Sequence, residues 1–262
     1  MLGQLNMAGL DKVQAAIKRL QTFEPAEGYY LAFSGGKDSI VVKALADMAG
    51  VKYDAHYSLT TVDPPELIYY MREHHKDVQV HKPKKTMWQL IAGRKMPPTR
   101  MIRYCCDELK EIGGYGRFVI TGVRWAESSR RKNSRAGLEI NAYTKDIIKA
   151  DPDNPENEKM ARFCPSKGKH IINPIIDWED TDVWEFIKVY ELPYCSLYDE
   201  GFKRIGCIGC PLSANAKEEL GRYPKYKRAY LRAFEKMLQN IPDEKTWKTP
   251  EDVMKWWISD KE

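Results

Sequence analysis

Apolar and polar positions along this chain follow two rhythms in turn. From Leu10 to Phe23, Val13, Ala16, Ile17 and Leu20 recur at helical spacing, which predicts an amphipathic opening helix ended by Pro25 and Gly28. Tyr29 to Phe33 is a short unbroken apolar run bounded by glycines, the pattern of a strand buried on both faces. The loop Ser34-Gly35-Gly36-Lys37-Asp38-Ser39 follows, and Ile40 to Ala49 then reads as a helix with Gly50 as its C-cap. Val51–Leu59 predicts a second strand, Glu66–His75 a helix opened by Pro64-Pro65, and Asp77–His81 a third strand. Thr86–Ile91 is a helical fragment broken by Pro97-Pro98, and Phe118–Gly122 is a strand of the first type.

Further on, Asp151 to Glu158 is polar and proline-bearing and predicts an exposed loop or hairpin tip. Ile171–Ile176 is apolar again, and Asp180–Val189 predicts a helix capped by Asp180 or Thr181. Lys217 to Glu262 is largely helical and charged, with Trp247, Trp256 and Trp257 as packing anchors. Strands alternating with helices predict an α/β fold: a doubly wound parallel sheet with helices on both faces. The expected division is a nucleotide-binding domain over residues 1–215, including the cysteines, and a helical C-terminal extension over 216–262.

Composition narrows the class. Hydrophobic residues are 43% and charged residues 30% of 262, ordinary for a chain that buries a real core. No apolar run approaches the ~20 residues of a membrane span. The N-terminus shows no basic region followed by an apolar core, so a cytoplasmic location is expected. A net charge of +5 suits an anionic small molecule as well as a nucleic acid. Six cysteines (Cys105, Cys106, Cys164, Cys195, Cys207 and Cys210) in a reducing compartment point to metal or redox chemistry.

The strongest chemical signal is strand, Ser-Gly-Gly-Lys-Asp-Ser, helix. Glycines let the backbone approach an anion, the helix start offers free N–H groups, and Lys37 adds a charge. The loop lacks Walker spacing. It resembles instead the pyrophosphate loop of the ATP-pyrophosphatase superfamily, whose members split ATP between its α- and β-phosphates. Thr121-Gly122-Val123-Arg124-Trp125-Ala126-Glu127-Ser128 with Arg130 resembles the hallmark of the phosphoadenylyl-sulfate (PAPS) reductase family within that superfamily. Asn173-Pro174-Ile175-Ile176-Asp177-Trp178 with Asp182-Val183-Trp184, and Tyr198-Asp199 through Cys207, resemble later segments of the same family.

The resemblance implies an adenine nucleotide hydrolase-like fold and assigns roles. Ser34, Gly35, Gly36, Lys37, Asp38, Ser39, Gly122, Arg124 and Glu127 would bind ATP or an adenylyl sulfate, with Mg²⁺ bridging phosphate oxygens. Lys37, Arg124 and Arg130 would stabilise charge on the phosphates. Lys110 matches a lysine of the family's Cys-x-x-x-Lys segment and would either contact substrate or stand as a solvated surface lysine, while Asp63 reads as a helix N-cap or a ribose or metal contact. Cys207-Ile208-Gly209-Cys210 is a chelating pair. With Cys105 it would hold a four-iron four-sulfur cluster, Cys106 and Cys195 competing for the fourth place and zinc the alternative metal.

Two departures matter. The reductases attack with a cysteine near the C-terminus, whereas no cysteine follows Cys210 over 52 residues, and their loop is usually degenerate, whereas this one is intact. Both favour an ATP-using adenylating enzyme of sulfur metabolism or thiolation. The alternatives are a reductase making sulfite, a protein like the ATP sulfurylase small subunit, and a non-catalytic iron–sulfur regulator that binds nucleic acid. A sulfur donor or thiol reductant protein and a second copy of the chain are the partners these readings imply. Lys82, Lys84, Lys85, Arg94, Lys95, Arg100 and Arg103 would line a polyanion path or form a solvated loop carrying a substrate's phosphates.

Overall fold

In the computed structural model, the described residues are 2–3, 10–141, 147–163, 169–242 and 246–259. Cys164 lies outside them. The elements in chain order are α1 (Lys12–Thr22), β1 (Tyr29–Ala32), α2 (Lys37–Ala49), β2 (Tyr53–Ser58), α3 (Pro65–His74), β3 (Gln79–His81), α4 (Met87–Ala92) and α5 (Tyr104–Leu109). Then come β4 (Phe118–Ile120), α6 (Ser129–Ser134), β5 (Leu138–Ile140), β6 (Ile148–Ala150), α7 (Pro155–Phe163), β7 (His170–Ile172), α8 (Asp180–Val189), α9 (Ala216–Arg222), α10 (Pro224–Gln239) and α11 (Pro250–Ser259). No described helix is long and apolar enough to cross a membrane.

Two compact units divide the chain without following its order. Unit 1 is residues 1–57, 70–80 and 113–196; unit 2 is 58–69, 81–112 and 197–262. The boundary expected at residue 215 falls inside unit 2, which groups the Cys105-Cys106 and Cys207/Cys210 pairs with the C-terminal helices.

Among the described residues one sheet runs in the order β3-β2-β1-β4-β7-β5-β6. Strand β1 lies parallel to β2 and β4, and β4 parallel to β7. The sheet is parallel through these strands, as expected, and at one margin β5 runs antiparallel to both β7 and β6. Residues 141–147 are too few for the dozen or more that a parallel crossover needs, so β6 returns beside β5 in the opposite sense. Helix α1 starts on a capping box, Asp11 accepting from the Gln14 amide at 2.7 Å. Leu20 of α1, Leu31 of β1, Leu45 of α2 and Phe186 of α8 are all fully buried in unit 1.

Two expectations about helix starts are also corrected. The acidic segment Asp151–Glu158 is not all loop: Asn154 accepts from the Glu156 amide at 3.0 Å and α7 begins at Pro155. Asn-Pro serves equally as a turn and as N-cap followed by N1, and here the second use prevails. Helix α8 takes Glu179 as its N-cap, not Asp180 or Thr181, because the Glu179 amide reaches Asp182 at 2.8 Å.

Unit 2 is built on α10, whose Tyr230, Ala233, Phe234 and Met237 are buried at helical spacing. Trp88 of α4 meets Tyr230 edge-on with centroids 4.8 Å apart, and Trp257 of α11 packs on Tyr230 at 4.7 Å while donating Nε1–H to the Pro98 carbonyl at 2.6 Å. Trp247 and Trp256, partly buried, close the same core.

A partly buried histidine in unit 1 makes the fold acid-sensitive. The Tyr70 hydroxyl donates to the Pro193 carbonyl at 2.8 Å, so His75 Nε2, 2.7 Å from the same oxygen, is the donor in that second bond. Burial, aided by the charge of Lys43, holds the His75 imidazole down to about 4 from its ordinary 6.5. The unfolded chain takes up a proton near 6.5 and the folded one does not until about 4, so stability present above pH 6.5 drains away between these values. A loss of about 1–3 kcal/mol is expected, read as a falling urea midpoint over that window, and His75→Gln should flatten this part of the profile.

Candidate nucleotide site and thiol cluster

The anion loop is shaped by its own short-range bonds. Gly35 sits at φ +71°, a left-handed conformation that disfavours other residues. The Ser39 hydroxyl donates to the Gly36 carbonyl at 2.9 Å and accepts the Ser34 amide at 3.2 Å, bracing the turn from inside. Helix α2 begins at Lys37, three residues earlier than expected, with Gly36 as an N-cap that supplies no side-chain acceptor. No side chain therefore caps the start of this 13-residue helix, the kind of terminus that favours an anion.

Gly122 lies against this helix start. A β-carbon there would come within 3.0 Å of the Asp38 carbonyl carbon and 3.1 Å of its oxygen. Backbone atoms at a helix start do not yield readily, so Gly122→Ala is expected to destabilise unit 1 by about 1–3 kcal/mol. Chemical denaturation should show this together with weaker protection of the variant by adenine nucleotide.

Arg124 is 1% exposed and committed in three directions. Its Nε donates to Asp38 at 2.7 Å, Nη1 to the Trp178 carbonyl at 3.0 Å, and Nη2 to Asp180. Burial opposes the Arg124 charge, but Asp38 and Asp180 outweigh it and raise the pKa. Lys37, also buried, lies 3.3 Å from Asp180 and 3.5 Å from Asp38. Asp38, Asp180, Lys37 and Arg124 therefore form one alternating charge square at the mouth of the loop. Asp180, expected as a helix cap, instead pairs with Lys37 and Arg124, and the sequence marks it only by its place two residues before Asp182-Val183-Trp184. Asp182 itself is fully buried and pairs with Lys12.

Glu127 pairs with Arg131 and accepts the Arg124 backbone amide at 3.2 Å. Arg130 is exposed on α6.

The thiols of unit 2 edge its core, with Cys105 and Cys207 packed against it. Cys105 donates to Cys106, whose thiol is drawn down by this bond and by Arg103, while Cys105 is pushed up. Cys207 and Cys210 lie within electrostatic reach of Cys105. Lys110 is raised by the charge of Cys207, to which it donates, and feels Asp63 and Cys106. The Cys207 sulfur is 3.5 Å from the Thr60 hydroxyl. Asp63 does not cap α3; it accepts the Thr60 amide at 2.7 Å and shapes the turn beneath the thiols.

Cys195 is fully buried and belongs to unit 1. Among the described residues no three or more His, Cys, Asp or Glu converge as a group that could hold a metal ion. The donor chemistry still suits a sulfur-ligated centre: four thiols lie in one unit, and the bond from Cys105 with the charge of Arg103 draws the Cys106 thiol towards its ionised form.

A largely parallel sheet with an uncapped, glycine-bearing helix start after its first strand defines an α/β nucleotide-binding protein. A sequence profile of the phosphoadenosine phosphosulfate reductase domain matches residues 28–213. The chain belongs to this family of enzymes, within the adenine nucleotide hydrolase-like superfamily, as its motifs imply. An uncharacterized protein of Methanocaldococcus jannaschii is 29% identical over 196 residues, covering 71% of this chain and 42% of that one. The adenosine 5'-phosphosulfate reductase of Staphylococcus haemolyticus is 24% identical over 192 residues, covering 71% of this chain and 70% of that one. The chain thus spans about two fifths of the length of the M. jannaschii relatives. Among solved structures, phosphoadenylyl-sulfate reductase from Candida auris in a phosphate complex gives a TM-score of 0.48 at 16% identity, covering 77% of this chain and 90% of that one.

Proposed function

We propose that this chain is a PAPS-reductase-type enzyme that binds ATP at Ser34–Ser39, cleaves it between the α- and β-phosphates and adenylates an acceptor oxygen for sulfur chemistry. The observation that carries this reading is the uncapped start of α2 with Lys37 at its first position. An acceptor oxygen attacks the α-phosphorus, the bond to the bridging oxygen breaks, and pyrophosphate leaves with that oxygen. Loop amides and Lys37 take up the charge growing on the leaving group. Arg124 acts as a positioning residue, since its fork is spent on Asp38, Asp180 and the Trp178 carbonyl. Exposed Arg130 is the guanidinium available for phosphate oxygens.

Mg²⁺ would be held by the Asp38 and Asp180 carboxylates and would neutralise phosphate oxygens. Cys105, Cys106, Cys207 and Cys210 would hold an iron–sulfur cluster or zinc, which supplies a sulfur-ligated centre to the reaction or to the fold. Cys195, in the other unit, is the weaker fourth ligand.

A second reading, reduction of an adenylyl sulfate to sulfite with a thiol reductant, is favoured by the S. haemolyticus relative, matched over 70% of its length. Anaerobically purified protein separates the two. Pyrophosphate released from ATP, falling roughly 100-fold in Lys37→Ala, supports the first reading. Sulfite formed from adenylyl sulfate and a dithiol, with no pyrophosphate, replaces it by the second.

A further inference from the structure

The net charge of the chain is not spread evenly. Unit 1 holds 21 Lys and Arg against 21 Asp and Glu, while unit 2 holds 21 against 16, so the whole excess of +5 belongs to unit 2. Within unit 2 it is concentrated twice. His81 to Arg103 contains seven Lys and Arg and no acid. Helix α10 contains five Lys and Arg and a single acid, Glu235.

The arrangement on α10 is specific. Lys225, Arg228, Arg232 and Lys236 recur at intervals of three, four and four residues, which places them in one stripe along the helix, and all four are exposed. At 1.5 Å per residue the stripe is about 16 Å long. The opposite side carries Tyr230, Phe234 and Met237 into the core, so the stripe is the outer face of a firmly packed helix. Among the described residues none of these four cations has an ion-pair partner. In unit 1, Lys12, Arg19, Lys37, Lys43, Arg117 and Arg124 are all paired.

This face works against the stability of its own helix. A surface helix ordinarily mixes signs, gaining about 0.2–0.5 kcal/mol from each opposite-charge pair one turn apart and losing similar amounts from like pairs. Arg228–Arg232 and Arg232–Lys236 are like pairs. The first turn of α10 holds Lys225 and no acid, opposite to what the helix dipole favours. The second basic tract is fastened to the same helix: Asn240, just past α10, donates to the Ala92 carbonyl of α4 at 2.9 Å, and Trp88 of α4 packs on Tyr230. Lys82, Lys84 and Lys85 before α4 are exposed, and Met101 beyond it is 89% exposed.

We propose that the basic surface of unit 2, centred on the α10 stripe, binds the phosphodiester backbone of a nucleic acid. A linear array of cations about 16 Å long spans roughly five nucleotides at 3.4 Å rise per strand, which suits a continuous polyanion better than one small phosphorylated molecule. This inference concerns the surface of unit 2 alone and does not depend on the chemistry proposed at the loop of unit 1.

The test is fluorescence anisotropy of labelled 20-nucleotide RNA and of a DNA duplex with the full chain, over a range of KCl concentrations, with polyglutamate as competitor. Binding should weaken steeply with salt, and the RNA and DNA arms show which backbone is preferred. Arg228→Ala with Arg232→Ala removes two cations while improving helix propensity, so the fold is kept. This variant should bind about ten-fold or more weaker, with a salt slope smaller by about two. Lys18→Ala with Lys188→Ala, two exposed cations of unit 1, should change neither. No salt-dependent binding, an unchanged slope in the α10 variant or equal losses in both variants would overturn the proposal. Polyglutamate competing as well as RNA at equal charge would replace the nucleic acid by an acidic protein segment. Pyrophosphate release is read separately, so failure here leaves the loop chemistry standing, and the reverse.

Discussion

Replacing Arg124 with alanine is expected to destabilise unit 1 by about 3–4 kcal/mol and to remove measurable nucleotide binding. The side chain is 1% exposed, and its loss leaves Asp38, whose carboxylate is 22% exposed at the first turn of α2, with only the longer 3.5 Å contact to Lys37 in place of the Arg124 bond. Breaking such a pair from one side is far more costly than removing both partners, because the remaining carboxylate keeps its desolvation penalty. Asp180, 65% exposed, contributes little to this figure. Arg124→Lys should recover only part of the loss, since a lysine cannot serve Asp38, the Trp178 carbonyl and Asp180 from one planar fork. Urea denaturation gives the first quantity and calorimetric titration with ATP the second. Alanine leaving stability within 1 kcal/mol of the parent would show that the fork does not hold the loop.

The second large effect concerns metal. Cys207→Ser with Cys210→Ser is expected to abolish the proposed metal centre, from about four iron atoms per chain for a four-iron cluster, or about one zinc. Hydroxyls do not ionise near neutral pH and cannot replace thiolates. Cys195→Ser, in unit 1, should retain the metal, and Cys106→Ser should lose it. Iron, sulfide and zinc analysis of the anaerobic proteins measures each outcome. Metal lost from Cys195→Ser but kept by Cys106→Ser would move the fourth ligand to the other unit.

What could be read in advance was what neighbours along the chain decide. Tyr29 to Gly50 carries its own instructions: an apolar strand, glycines that permit the turn, a serine that braces it, and a helix with a glycine C-cap at φ +66°. The cysteine pairs were legible for the same reason, since the spacing of two thiolates is a local property. The partners of Arg124 were not. Asp38 and Asp180 lie 86 and 56 residues away, and nothing near Arg124 marks it as a fork between them. Helix α5, six residues long, passed unseen because a vicinal cysteine pair gives no helical period. The short strand Leu138–Ile140 hid behind Glu139, a buried carboxylate satisfied by Arg135, the Ala136 amide and Asn173. A buried acid in mid-strand reads as a surface residue until its partners are known.

The antiparallel turn at one margin of the sheet also bears on how the protein behaves when crowded. The outermost strands among the described residues, β3 and β6, are each three residues long. Lys149, exposed in the middle of β6, presents a charge to any strand that would pair there. The long inner strand β2 is shielded between β1 and β3. Both rims therefore offer another backbone little length to pair with, which disfavours fibrous growth by strand addition.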